Sequence, residues 1–269
     1  MRRAIGQFLR IDVSPRGVSV QRASRWQGLP GFGAAGRGGV PDVLAAQTIA
    51  PSADHPFDAI ANALRAVLGE LDVQGWPVSF VLADELTRMW RVTPPAGAAR
   101  MADLEAAAGL RFQSLYGEPP SAWQLSADWN AAQPFFAAAM PRALLAELQV
   151  VAQDCKLSIV AIEPRFVSAW NRGRRGLKQG AWFGHVHDGL LTVAATEPDG
   201  KGLRAVRSLP IPQGADQHWL TQTLQREALL LDAEAPSLLQ VNGEAPAAWL
   251  QPGGGAGRIA CSALTGSAA

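Results

Sequence analysis

Apolar positions along this chain change spacing from two to three-and-four and back, and those changes predict the elements. Residues 8–13 and 17–21 are apolar-rich runs joined by Ser14-Pro15-Arg16, which predicts a strand, a tight turn and a second strand. Residues 24–41 then carry eight glycines or prolines and read as a loop. Phe57, Ile60, Ala61, Leu64, Val67, Leu68 and Leu71 recur at helical spacing, with Asp54 available as N-cap and Gly75 beyond the end. Residues 77–82 predict a buried strand and 86–93 another. Met101, Leu104, Ala108, Phe112 and Leu115 mark a second helix. Two strands, 122–125 and 135–140, bracket a turn at 126–130. Pro141 suits the first turn of a helix whose stripe is Leu144, Leu145, Leu148 and Val151. Residues 157–162 have the β-branched content of an interior strand.

The second half restarts the pattern. Residues 166–170 read as one or two helical turns, and 172–180 as a basic, glycine-containing link. Runs at 182–186, 190–196 and 203–209 predict a three-strand meander turning at His187-Asp188-Gly189 and Pro198-Asp199-Gly200. Trp219, Leu220, Leu224, Ala228 and Leu231 give a helix, and 237–241 a last strand. From Pro252 onward the chain is Gly-, Ala- and Ser-rich, with one apolar patch near Ile259, and is expected to be weakly ordered. Each half opens with antiparallel strands and passes through a helix to another strand, so the class is α/β with mixed sheets.

Composition narrows the function classes. The 269 residues carry 24 Lys+Arg against 23 Asp+Glu, which gives no global electrostatic drive toward nucleic acid. Two cysteines, Cys155 and Cys261, cannot make a disulfide framework or a four-thiolate zinc site. No apolar run approaches the roughly 20 residues of a membrane-spanning helix. Met1-Arg2-Arg3 is basic, but Gln7, Arg10 and Asp12 break what would be a signal peptide's apolar core. The expected location is cytoplasmic, with any membrane role peripheral.

Few motifs carry chemistry. Residues 31–36 match G-x-G-x-x-G, yet Pro30 precedes them and a Gly-Pro-rich stretch follows, where a dinucleotide site needs a strand and a helix. His185 and His187 share one face of a strand, but a metal site needs a third ligand, and His55, His218 and Asp188 lack a motif spacing. There is no G-x-S-x-G elbow and no catalytic cysteine signature, and Cys155 reads as a packed thiol. Asp84 and Glu85, as strand neighbours, would face opposite ways, which disfavours a shared acid–base role. Catalytic and metal assignments are therefore none. Arg172, Arg174, Arg175 and Lys178 place four positive charges within seven residues. An exposed link between lobes is the plain reading; contact with anionic headgroups or an acidic partner segment is the functional one. Among nine tryptophans, Trp129 and Trp249 lie in turn-like, polar contexts where a peptide could dock.

Three stretches together resemble the actin-like superfamily, and within it the PilM-type pilus-assembly proteins and the similar cytoplasmic domains of type II secretion L proteins. Residues 9–14, Leu-Arg-Ile-Asp-Val-Ser, are similar to the opening strand and first phosphate hairpin. Residues 81–86, Trp90 and 94–98, followed by the Met101 helix and the strands ending at Pro141, resemble that family's inserted subdomain. Residues 166–171 and the meander resemble the opening of the second lobe. The resemblance covers roughly residues 7–243. It implies an actin-like, duplicated ribonuclease H-like two-lobed fold with mixed sheets and a small inserted α+β subdomain. The lobes would be 1–165, with the insert at about 84–141, and 166–251, with a weakly ordered tail at 252–269.

The resemblance also implies where nucleotide would bind and where this chain departs from the pattern. The family's first hairpin carries Asp-x-Gly. Here Asp12 is kept, Ser14 replaces the glycine, and Pro15 removes one N–H from the turn. Residues 184–192 hold no second Asp-x-Gly, and Asn242-Gly243 keeps one glycine of the adenosine loop's pair. If ATP with magnesium binds, Asp12, Ser14, Arg16 and Gly243 are the residues to hold it; otherwise the site is degenerate and no cofactor is expected. The function expected by resemblance is a scaffold of a type IV pilus or related secretion platform, peripheral at the inner membrane. It would bind the short cytoplasmic tail of a membrane partner beside the inserted subdomain, with homo-oligomerisation left open. The absence of a spanning run favours this over a complete secretion L protein. The alternatives are an active ATP-driven conformational switch and a small-molecule kinase, for which neither a substrate base nor a complete phosphate site is visible.

Overall fold

The computed structural model describes residues 5–24, 42–50, 56–197, 202–251 and 257–264. The chain divides into two compact units that meet in sequence at Arg165 and Phe166.

In the first unit, β1 (Gln7–Ser14) and β2 (Gly17–Ser24) form the expected hairpin, followed by β3 (Asp42–Thr48), α1 (Pro56–Gly69) and β4 (Pro77–Leu82). The chain continues through β5 (Arg88–Val92), α2 (Met101–Tyr116), β6 (Trp123–Ala127), β7 (Phe135–Pro141), α3 (Arg142–Asp154) and β8 (Ser158–Pro164). The main sheet has the order β3-β2-β1-β4-β8. Its first three strands are antiparallel, and β1, β4 and β8 run parallel. Leu9, Ile11, Val20 and Phe80 are wholly buried in one core with Ile60, Leu64, Leu144 and Leu148 of α1 and α3. Asp54, the expected cap of α1, and the glycine-rich 31–36 segment lie outside the described residues.

Between β4 and α3 the chain builds a separate small body. Its sheet, β5-β7-β6, is antiparallel and packs against α2 around Trp90, Phe112, Trp123 and Phe135. Phe112 stands about 5 Å from both Trp90 and Trp123, ring centre to ring centre, at 5.1 and 5.3 Å, tilted against each. Arg88 lies over the rings of Tyr116 and Trp123 at 5.7 and 5.3 Å. The ends of the expected α2 stripe, Met101 and Leu115, are exposed.

The second unit comprises α4 (which begins at Arg165 and runs Arg165–Gly173), β9 (Trp182–His187), β10 (Leu190–Thr196), β11 (Leu203–Pro210), α5 (Gln217–Leu230), β12 (Leu238–Gly243) and β13 (Ala260–Ala263). Its sheet order, β11-β10-β9-β12-β13, repeats that of the first unit, again with three antiparallel strands followed by parallel neighbours. One face carries a core of Leu191, Val193, Leu239, Leu220, Leu224 and Trp249. Asp216 caps α5 by accepting the Trp219 N–H at 2.9 Å, and that bond holds its carboxyl below the usual range. The Pro198-Asp199-Gly200 turn lies outside the described residues.

Several expectations need correction. The sequence pattern missed β3, and it placed β13 inside a stretch expected to be weakly ordered. β8 is an edge strand with Val160 half exposed, not an interior one. Asp84 and Glu85 stand on a 3-10 turn (Asp84–Leu86), not on a strand, and Pro141 is the cap of α3 and not part of its first turn. Trp249 is completely buried, stacked on Trp219 and donating its indole N–H to the Ala215 carbonyl, so no peptide reaches it.

The insert's reliance on one aromatic centre gives a stability prediction. Phe112→Ala removes a wholly buried ring between two tryptophans and is expected to cost about 3–5 kcal/mol. Urea unfolding followed by tryptophan fluorescence measures it, and a loss under about 1 kcal/mol would show that the insert collapses around the gap.

Candidate functional site

The first hairpin carries a largely buried charge cluster. Side chains two apart on a strand share a face, so Arg10 and Asp12 point the same way from β1. Gln21 of β2 is the direct cross-strand partner of Arg10. Arg165 follows directly after the last residue of β8. All three converge on the Asp12 carboxylate. Arg10 Nη2 and Arg165 Nη1 approach Oδ1 at 3.1 and 3.2 Å. Arg10 Nε and Gln21 Nε2 donate to Oδ2 at 3.3 and 3.0 Å. A carboxylate offers about four lone-pair sites, and here three hydrogen bonds from Arg10 and Gln21 and the Arg165 ion pair engage both of its oxygens. The side chains of Asp12, Arg165 and Arg10 are only 8, 12 and 15% exposed, so these are largely desolvated, charge-assisted contacts.

The turn is closed in the same manner. Ser14 Oγ donates to the Gly17 carbonyl at 3.0 Å and accepts the Arg16 N–H at 3.3 Å. The Arg16 carbonyl accepts the Ile49 N–H at 2.8 Å, and its exposed guanidinium pairs with Glu85 at 3.2 Å. Gly17 is required because a Cβ there would stand 2.8 Å from the Gln47 carbonyl of β3. An amide cradle for phosphate needs N–H groups aimed outward, whereas Pro15 has none and that of Arg16 points into its own turn.

Gly243 lies in the second unit, at the end of β12. It has φ of +97°, and a Cβ would fall 2.1 Å from the Val186 carbonyl, while the Glu244 N–H donates to that same carbonyl at 3.1 Å. This glycine lets the chain leave β12 hard against β9. The helical segment that follows is a single 3-10 turn, Ala247–Trp249, with no α-helix N-terminus. The β9–β10 hairpin turns through Asp188 and Gly189, both at positive φ, as an Asp-Gly turn requires.

The remaining sequence candidates disperse. His185 and His187 stack at 6.4 Å on one face of β9; His185 Nδ1 meets Asn242 Oδ1 and His187 meets Asp188, each at 3.2 Å. His218 is exposed on α5, and His55 lies outside the described residues. Among the described residues no three His, Cys, Asp or Glu are grouped to hold a metal ion. Burial raises the Cys261 thiol to about 11, and burial followed by the neighbouring Asp154 raises that of Cys155. Sequence reasoning named Asp12, Ser14 and Arg16 but missed Arg10, Gln21 and Arg165. Period-two spacing could have found Arg10, while only the folded sheet reveals Arg165.

No protein-family model matches the chain, and no curated protein matches it. Solved structures do match. The cytoplasmic domain of EpsL, an inner-membrane component of the type II secretion system of Vibrio cholerae, is 12% identical, with a TM-score of 0.54 over 87% of this chain and 81% of that one. A Bacteroides thetaiotaomicron protein with actin-like ATPase fold and unknown function is 12% identical, with a TM-score of 0.57 over 90 and 84%. The PilM-PilN type IV pilus biogenesis complex is 12% identical, with a TM-score of 0.57 over 89 and 81%. The chain has the actin-like fold, in agreement with the fold class expected from sequence.

Two predictions follow from the site's geometry. Asp12→Ala leaves two mostly buried guanidinium groups facing each other and is expected to cost about 3–5 kcal/mol in urea unfolding. Arg165→Ala, which leaves Asp12 with Arg10 and Gln21, should cost less; equal stability of Asp12→Ala and wild type would show that the cluster holds nothing together. With both thiols raised, neither cysteine in the folded protein should react with iodoacetamide at pH 8 while the unfolded chain alkylates fully. Rapid native labelling of Cys261 would contradict its desolvation.

Proposed function

We propose that this protein is a scaffold component of a type IV pilus or related secretion platform, with a degenerate nucleotide site and a docking role toward the cytoplasmic tail of an inner-membrane partner. The observation that carries the first part is the saturation of Asp12. In this fold the first-hairpin carboxylate would act on magnesium through bound water, and magnesium sheds its water reluctantly. Both carboxylate oxygens of Asp12 are engaged by Arg10, Arg165 and Gln21. The positive charge a magnesium ion would supply is already supplied by guanidinium. Ser14 and Arg16 serve their own turn, so the residues present do not fit a magnesium nucleotide.

The second part is supported by the likeness to the EpsL domain and to the PilM-PilN complex. No described helix is long and apolar enough to cross a membrane. The inserted body, with its own aromatic core, is the natural place for specificity, because it can vary without disturbing the main sheet.

The test is thermal unfolding of the full chain with and without Mg-ATP. A ligand at a hundredfold over its dissociation constant adds about 2.7 kcal/mol, which shifts a protein of this size by about 5–10 °C. The expected shift at millimolar Mg-ATP is nil. The companion measurement is binding of synthetic peptides matching the short cytoplasmic tails of pilus or secretion inner-membrane proteins, expected at micromolar affinity. An ATP shift of several degrees that Asp12→Ala abolishes would replace this reading with a nucleotide switch.

A further inference from the structure

The stretch from 164 to 187 contains five arginines and lysines and not one aspartate or glutamate, in a chain whose 24 Lys+Arg and 23 Asp+Glu nearly balance as a whole. Four of them, Arg172, Arg174, Arg175 and Lys178, sit where α4 ends and a 3-10 turn (Arg174–Gly176) leads toward β9, and all four are exposed. Arg174, Arg175 and Lys178 form no ion pair with any described residue.

The backbone beneath these charges is held firmly. At Gly173 a Cβ would lie 2.7 Å from Leu264 Cδ2 and 3.1 Å from Phe183 Cε2, so α4 ends close against β9 and the residue after β13. The Leu177 N–H donates to the Arg174 carbonyl at 3.3 Å and closes the 3-10 turn. The Lys178 N–H donates to Oε1 of the buried Gln240 at 2.6 Å, and the Ala181 N–H returns to the Lys178 carbonyl at 3.1 Å. Gly180, at φ of +74°, completes the reversal into β9. The segment is thus a packed turn whose buried partners fix its course while its cations stand in solvent. Like charges this close repel one another, and an interspersed carboxylate on α4 or β13 would relieve that repulsion. None is present in either element.

We propose that this turn is a docking surface for an anionic lipid bilayer. Charge complementarity selects the occupant. Each cation held near an anionic membrane surface contributes about a fivefold gain in affinity, without requiring shape or a pocket. Four such charges give a gain on the order of several hundredfold, which recruits the protein to a membrane weakly and reversibly. A phosphorylated or acidic peptide is the poorer fit, because its recognition relies on desolvated, bidentate arginine contacts in a groove. Here all four side chains are exposed on one turn. The inference goes beyond the scaffold reading and does not rest on it: a bilayer can be bound whether or not a partner's tail is.

The experiment is flotation of the full chain with vesicles of phosphatidylcholine alone or with 30% phosphatidylglycerol, at about 50 and 300 mM salt. The expected result is low-salt binding to the anionic vesicles only, lost at high salt as screening shortens the reach of the charges. The variant Arg174→Gln/Arg175→Gln/Lys178→Gln is expected to bind about a hundredfold more weakly with an unchanged thermal midpoint. A control, Arg111→Gln/Lys156→Gln/Arg207→Gln, removes equal charge from exposed positions elsewhere and should bind like wild type. Equal loss in the control, no wild-type binding to anionic vesicles, or capture by a polyglutamate peptide in place of vesicles would each overturn the proposal. Failure here leaves the tail-peptide and Mg-ATP measurements untouched, since both are made without lipid.

Discussion

A largely buried carboxylate held by two guanidinium groups and an amide governs the first unit. Asp12 cannot be desolvated alone, and neither can Arg10 or Arg165; together they form a cluster in which each member makes the burial of the others tolerable. Its members come from β1, from β2, and from the residue immediately after β8. The cluster therefore ties the hairpin at the middle of the sheet to the chain's exit at the sheet's edge. That connection is the one through which the first unit hands over to α4.

The second unit shows the same frame with that solution absent. Its hairpin strands β9 and β10 correspond in order and direction to β1 and β2, and β12 corresponds to β4. Counted back from each hairpin's last pair, Asp12 in β1 matches His185 in β9. His185 Nδ1 meets Oδ1 of Asn242 on β12, its direct parallel partner. One copy of the frame closes its central position with three charges, the other with an imidazole and an amide. The repeat is thus a repeat of backbone topology, which tolerates unrelated chemistry at equivalent places because the apolar faces of the sheets carry the packing.

What the sequence made legible follows from where apolar pattern is enforced. Strands β1, β2, β4, β9 and β10 bury at least one face, and their runs were readable nearly to the residue. The strands that escaped, β3 and β13, are edges: Asp-Val-Leu-Ala-Ala-Gln-Thr is largely exposed, and Ala-Cys-Ser-Ala has too little apolar content to register. β8 misled for the opposite reason, since β-branched residues suit any strand and cannot report whether a neighbour lies on both sides. Trp249 misled because a Gly-Pro-rich context suggests a surface turn, while the indole itself folds back under α5. For the site, the hairpin turn and Asp12 were visible locally. Arg165 belongs to the same cluster through sheet order alone, and no local pattern announces a partner brought in by topology.

Internal satisfaction of Asp12 has a consequence for how the unit can behave. A site that completes itself with a bound cation or nucleotide makes stability depend on ligand concentration, and with it any conformational preference the ligand enforces. A carboxylate completed by its own chain's guanidinium groups removes that dependence. On the proposed scaffold reading, the hairpin, the sheet and the inserted body built on it would hold one geometry whatever the nucleotide level. A partner segment docking there would meet a surface already formed, so little of its interaction energy would be spent on ordering the receiving side. For a component whose proposed task is to hold a membrane protein's tail in register with a larger assembly, that constancy is the useful property, and replacing one ion by two arginines is enough to secure it.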